Sequence, residues 1–212
     1  MARKVRAVRR WYQHATRSGN VARMVHIYLA PGASGNAATL EPWLAGLRDR
    51  GFEAHGVTLP RGRAEAAVSR YLAQVADEPG VVVGGQSFGG RVASMAVAGA
   101  GDVAAGAHGG AVRRYPFAGL VCLSYPLHRP GAPETAAART AHWPAILVPA
   151  LLLSGTSDPF AREDLLRAAM PGLARGRLVT YPRLGHSLVA VRDAALDVVA
   201  GFLHELEGTG PG

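Results

Sequence analysis

At 212 residues, 49% of them hydrophobic, the chain suits one domain with a full core. Its net charge of +8 is concentrated at one end: residues 1–23 hold seven of the 23 basic side chains and none of the 15 acidic ones, which leaves the rest balanced to within one charge. The body therefore carries no basic stripe of the kind that binds nucleic acid, and the longest apolar runs, 117–123 and 145–153, fall far short of the roughly 20 residues of a membrane span.

The single cysteine, Cys122, excludes an intramolecular disulfide and makes a reducing cytoplasm the default compartment. No apolar segment follows the charged start, so neither a secretory signal nor, after Arg9-Arg10, a twin-arginine signal is expected. Lysine occurs once against 22 arginines, which reads as codon-composition bias.

In chain order, residues 1–23 read as a basic N-terminal extension. It is either a solvated arm or a short helix with Val5, Val8, Trp11 and Tyr12 on one face. The domain then runs over 24–212. Residues 24–29 form a buried parallel strand, and a Pro-Gly-Ala-Ser-Gly loop follows; it lacks the lysine and spacing of a phosphate cradle. Asn36 can cap a helix over 37–50 that Gly51 closes. A strand over 52–60 and a helix over 63–76 come next. Pro79-Gly80 then turns the chain into a strand over 81–86.

Residues 99–116 read as a Gly/Ala-rich surface loop, and 117–126 as a strand. A proline-rich excursion then passes over the end of the sheet. Strands over 150–155 and 176–181, a helix over 162–170 between them and a closing helix over 191–206 complete the chain. Strands alternating with helices imply an α/β fold, a minimal and mostly parallel sheet of about six strands with helices on both faces.

The stretch that organises the chain is VVVGGQSFGGRVASM, residues 81–95. Strand, sharp turn and helix follow one another with Gly85-x-Ser87-x-Gly89 at the turn, the arrangement that lifts a serine Oγ out of the end of a sheet. A Cβ on either flanking glycine would collide with the reversing chain, and the helix N-terminus favours developing negative charge.

Such a serine needs a base and an acid to orient that base, in the chain order serine, acid, histidine. Asp158, after the strand over 150–155, and His186, after the last strand, satisfy that order. Asp158 could instead cap the helix after it, and His186 could be an ordinary loop histidine. The backbone N–H groups of Phe88 and Ala33 are the expected oxyanion donors. Ser34, Tyr125 and His128 are expected to line the substrate pocket. His142 shares the excursion with His128, and both suit pocket lining better than the role of base. His26 and His55 lie in strands; His14, His108 and His204 look exposed. No histidine spacing suggests a metal, and no cofactor is implied.

Taken together, PGASGN, GGQSFGGRVASM, LVCLSYPLHRPGAPE and LLLSGTSDPF with LGHS resemble a compact bacterial group of α/β-hydrolases related to dienelactone hydrolases. The group is also similar to the hydrolase-like domain of subunit 3 of the eukaryotic non-specific lethal complex. The resemblance covers about residues 24–206 and implies catalytic roles for Ser87, Asp158 and His186. The chain departs in its basic N-terminal arm; it also lacks the antiparallel strands that open larger α/β-hydrolases and a helical cap insertion or large cap domain, which leaves a small, open site.

The function expected is cleavage of a small-molecule carboxylic ester or thioester through an acyl-enzyme. The alternative is a catalytically silent interaction module on the same scaffold. A nucleic-acid or membrane-surface role would rest on the arm alone, and a homodimer is compatible with the chain.

Overall fold

The computed structural model describes residues 25–102 and 116–208. Six strands, β1 (His26–Ala30), β2 (Glu53–Gly56), β3 (Val81–Gln86), β4 (Gly119–Leu123), β5 (Ala150–Gly155) and β6 (Gly176–Tyr181), form one sheet in the order β2-β1-β3-β4-β5-β6. All five pairings are parallel. The helices are α1 (Ala37–Arg48), α2 (Ala64–Leu72), α3 (Phe88–Asp102), α4 (Ala136–Thr140), α5 (Glu163–Ala169) and α6 (Arg192–Glu207).

Alternation along each strand builds two cores. Val81 and Val83 of β3, Leu120 and Cys122 of β4 and Leu152 of β5 pack under α2 and α3. Val82, Val121, Leu123, Leu151 and Leu153 point the other way, under α1 and α6. Because both faces are covered, the central strands are apolar throughout rather than alternating. Small residues on α2 and α3 (Ala64, Ala67, Ala93, Ala96) let those helices lie close to the sheet, so few aromatics are needed.

The chain runs from β1 outward to β2, crosses back to β3 and then proceeds the other way to β6. The loops after β1 and β3 therefore leave adjacent strands toward opposite faces. The crevice they leave at the carboxyl ends of these strands is where ligands bind in open α/β sheets. Just below it, the buried Tyr71 hydroxyl of α2 donates to Tyr28 O at 2.9 Å and accepts from Gly84 N–H at 3.0 Å, tying helix and both strands together.

Most elements fall where the sequence predicts them, and three differences have physical reasons. The strand expected over 52–60 is confined to Glu53–Gly56, since it is an edge strand with only β1 to pair with and Pro60 lacks an N–H. Asn36 does cap α1, accepting Thr39 N–H at 3.3 Å, but the helix ends at Arg48, ahead of the left-handed Gly51. The loop expected over 99–116 begins later, because α3 carries on through Gly99, Ala100 and Gly101 to Asp102, its preceding turns already fixed by packing on the sheet. The rest of that loop, 103–115, and the basic extension over 1–23 lie outside the described residues.

After β4 the excursion folds back on itself. Tyr125 donates its hydroxyl to Arg139 O at 2.6 Å and packs edge-on against Trp143, while Arg139 Nη1 donates to Pro126 O at 2.8 Å. This short strap is held down by hydrogen bonds to its own backbone.

Candidate active site

Ser87 sits between β3 and α3 with φ of 50°, a left-handed conformation that costs a non-glycine residue energy and is kept only where the surroundings enforce it. Its N–H donates to Leu123 O at 2.8 Å, which pins the turn to β4. The flanking glycines are obligatory. A Cβ on Gly89 would lie 2.3 Å from Ala30 O, and one on Gly85 would lie 2.5 Å from the same oxygen. β1 and the turn can approach each other only because neither residue has a side chain.

From that turn a continuous chain of polar contacts runs into the protein. Ser87 Oγ lies 2.7 Å from His186 Nε2, and His186 Nδ1 lies 2.8 and 2.9 Å from the two carboxylate oxygens of Asp158. An Nδ1–H donated to Asp158 leaves Nε2 with a lone pair facing the serine hydroxyl. The Asp158 side chain is completely buried, and its Oδ1 also accepts Phe160 N–H at 2.8 Å. It does not cap the following helix, since α5 starts at Glu163.

The two loops that carry Asp158 and His186 are joined by their backbones. Ser157 N–H donates to Leu184 O at 2.8 Å, and Arg183 N–H to Thr156 Oγ1 at 2.9 Å. Gly155 makes this possible, because a Cβ there would meet Leu184 O at 2.2 Å. The Phe160 ring, 4.4 Å from the imidazole, limits where His186 can swing.

Ser87 opens into a cavity of about 830 Å³ whose lining includes Phe88 and Ala33. Phe88 is the first residue of α3, so its N–H has no partner within the helix. The loop bearing Ala33 passes directly over the serine: a Cβ on Gly32 would sit 3.6 Å from Ser87 Cβ. Five charged side chains also face this cavity, Arg63, Glu65, Arg91, Arg129 and Arg139. A second depression of about 760 Å³ is lined by Asp158, Arg162 and Arg167 but not by Ser87.

The residues expected to line the pocket are placed differently. Ser34 is exposed on the loop after β1, and Tyr125 is buried, its hydroxyl committed to Arg139 O and its pKa pushed up to about 12 by burial. His128 is 2% exposed; its Nδ1–H donates to Arg129 O at 2.8 Å and its Nε2 accepts Arg162 N–H at 3.1 Å. None of the three is among the residues lining the cavity. The turn at Pro126 tucks Tyr125 and His128 beneath the strap and presents Arg129 and Pro130 instead.

The arginines were hidden in the sequence by the abundance of that residue. A local signal was nonetheless present for Arg91, one turn into the helix after the serine, and for Arg129 and Arg139 on the excursion.

A second serine–histidine pair lies deeper. Ser94 Oγ is 2.8 Å from His142 Nε2 and also donates to Arg91 O at 2.8 Å. Ser94 is fully buried in mid-helix, and burial together with Arg91 pushes the His142 pKa down to about 4. No carboxylate lies within 4 Å of the His142 ring among the described residues. Cys122 is buried, and burial raises its thiol far above the ordinary range, which keeps it protonated and inert. The one described group with metal-ligand spacing, His26, Glu53 and His55, includes the first residues of β1 and β2, at the end of the sheet opposite Ser87.

Residues 60–194 match the model of an alpha/beta hydrolase domain. The chain belongs to the alpha/beta hydrolase family. No curated protein matches it in sequence. Among solved structures it is similar to a monoacylglycerol lipase of Paleococcus ferrophilus, with 13% identity over 86% of this chain and 97% of that one and a TM-score of 0.64. A predicted CIB-like hydrolase of Thermoplasma acidophilum is 17% identical over 88% of both chains, with a TM-score of 0.63. A thermophilic esterase of Thermogutta terrifontis is 16% identical over 86% and 90%, also at 0.63. At these identities the likeness is one of fold, and it agrees with the six-stranded hydrolase sheet expected from the sequence.

Proposed function

We propose that this hydrolase-family protein is a serine hydrolase that cleaves a small-molecule carboxylic ester or thioester through an acyl-enzyme. The observation that carries the reading is the unbroken contact from Ser87 Oγ through His186 to buried Asp158, at a strained turn that opens into a cavity. Esterase and lipase structures among its fold relatives agree with this reaction class. Kinship with dienelactone hydrolases, and a reducing cytoplasmic location consistent with the free buried Cys122, belong to the same proposal.

In this mechanism Ser87 Oγ attacks the carbonyl carbon as its proton passes to His186 Nε2. The imidazolium then present is stabilised by the Asp158 carboxylate, which keeps its hydrogen bond to Nδ1. The oxyanion of the tetrahedral intermediate takes hydrogen bonds from the N–H groups of Phe88 and Ala33; one such donor is typically worth about 3 kcal/mol of barrier. The leaving alcohol or thiol departs with the proton from His186. Water, deprotonated by the same nitrogen, then releases the acid and restores Ser87.

The test is labelling by a fluorophosphonate probe, with Ser87→Ala as control. Labelling that requires Ser87 supports the enzyme. An unlabelled, folded wild-type protein would favour the silent interaction module instead.

A further inference from the structure

The charge around the cavity is lopsided. Four guanidinium groups, Arg63, Arg91, Arg129 and Arg139, line it against a single carboxylate, Glu65. Glu65 Oε1 pairs with Arg91 Nη2 at 2.8 Å, and its Oε2 lies 3.6 Å from Arg63 Nε. Arg129 and Arg139 have no carboxylate within 4 Å among the described residues.

Surface arginines are ordinarily unremarkable, but two of these four are not at the surface. The Arg91 side chain is 19% exposed, and its Nε is buried with no hydrogen-bond partner. Arg139 is half-buried and gives Nη1 to Pro126 O, while burial, with the charge of nearby Arg91, holds its pKa below the ordinary arginine value. Withdrawing cations from water and setting them side by side is costly unless an anion compensates them. Glu65 supplies one negative charge where the lining carries four positive ones. The planar donor fork of a guanidinium matches the two oxygens of a carboxylate or a phosphate.

We infer that the substrate carries, besides its scissile ester, an anionic carboxylate or phosphate group that the Arg91, Arg139 and Arg129 guanidiniums hold in the cavity beside Ser87. The inference rests on the hydrolase reading for its chemistry, though the anion site itself can be measured without turnover. Arg91 and Arg139 form the inner part of that site and Arg129 its exposed rim, with Glu65 neutralising part of the charge.

The experiment compares two esters of equal chain length, p-nitrophenyl pentanoate and mono-p-nitrophenyl glutarate, which differ by a methyl against a carboxylate at the far end. On the wild type, kcat/KM for the glutarate ester is expected to exceed that of the pentanoate ester by about ten-fold, as charge-assisted hydrogen bonds allow. Arg129→Gln should remove most of that preference. Arg175→Gln, an exposed cation beside the start of β6 at the opposite end of the sheet, should keep it.

In parallel, free glutarate and inorganic phosphate at matched ionic strength should raise the thermal midpoint of the wild type more than that of Arg129→Gln. A shift with glutarate alone assigns a carboxylate, and one with phosphate alone assigns a phosphate. Equal turnover of the two esters, with no midpoint shift from either anion, would overturn the inference. Fluorophosphonate labelling separates the two failures. If Ser87 is labelled, only the anion site is lost; if it is not, the hydrolase reading falls and the midpoint shifts alone decide the anion site.

Discussion

The protein contains two serine–histidine pairs of nearly equal length, and almost everything else about them differs. Ser87 and His186 meet at 2.7 Å, Ser94 and His142 at 2.8 Å. The first serine stands on a left-handed turn that opens into a cavity; the second is fully buried in the regular part of α3. The first histidine has a buried carboxylate on its other nitrogen. The second is pushed toward its neutral form by burial and by Arg91. Hydrogen-bond distance alone therefore does not make a nucleophile. A nucleophile also needs an accessible Oγ and a base oriented by a third group, and of the two pairs the one at Ser87 has the cavity and the carboxylate.

The sharpest way to break this comparison is to remove each serine. Ser87→Ala is expected to cut p-nitrophenyl ester hydrolysis by about 10³-fold or more, to near background, with little change in thermal midpoint because the Oγ faces a cavity. Ser94→Ala should retain activity within a small factor. Loss of activity in Ser94→Ala with retention in Ser87→Ala would reverse the assignment.

Next in size is Asp158→Asn. It should lower kcat by roughly 10²- to 10⁴-fold, because an amide can hold the imidazole in the wrong tautomer and cannot offset its positive charge. Steady-state kinetics on the same esters, with circular dichroism to check folding, measures this. Wild-type turnover would detach Asp158 from the first pair and leave the two pairs alike.

The second pair should show itself in stability instead. Ser94→Ala removes the hydroxyl between Arg91 O and His142 Nε2 and should cost about 1 kcal/mol, a drop in midpoint of about 3 °C for a chain of this size. An unchanged midpoint would mean that this contact contributes nothing to the fold.

The second pair should also show a pH dependence. His142 has a folded pKa of about 4 against an ordinary 6.5, so between these values the unfolded chain binds its proton more readily. The stability contributed by neutral His142 is thus fully present above pH 6.5 and is lost as pH falls toward 4. Thermal midpoints of the wild type and His142→Gln, followed across that window, should diverge by several degrees, at most about 10 °C, since 2.5 pKa units correspond to about 3 kcal/mol before solvent screening. Identical slopes would show that His142 is not held neutral by the fold.

Much of this was legible in the residues themselves. Strand and helix order follows from apolar period and from glycine and proline punctuation, both local in the chain, and β3, β5 and β6 fall on the residues read for them. Ser87, Asp158 and His186 could be located because each follows the end of a strand, and parallel strands deliver their carboxyl ends to one edge whatever lies between. The turn at Ser87 was legible for a steric reason: glycines two residues either side of a serine, between a valine run and a helix, leave the backbone few other conformations.

What the tertiary structure decided was which side chains face which way once those edges met. Three histidine readings show it. His128 sits on the strap expected to cover the site, yet the turn at Pro126 buries it and spends both its nitrogens on backbone partners. His142 pairs with a serine that nothing in the sequence singled out, and His186 meets Ser87, which lines the cavity. The cationic lining is likewise assembled from α2, α3 and the strap, three segments far apart in sequence, so no window of residues could reveal it. Periodicity and turn chemistry act between neighbours along the chain and can be read there. The charge of a pocket and the partners of a buried imidazole are set by contacts across the fold, and they exist only once the sheet has brought its loops together.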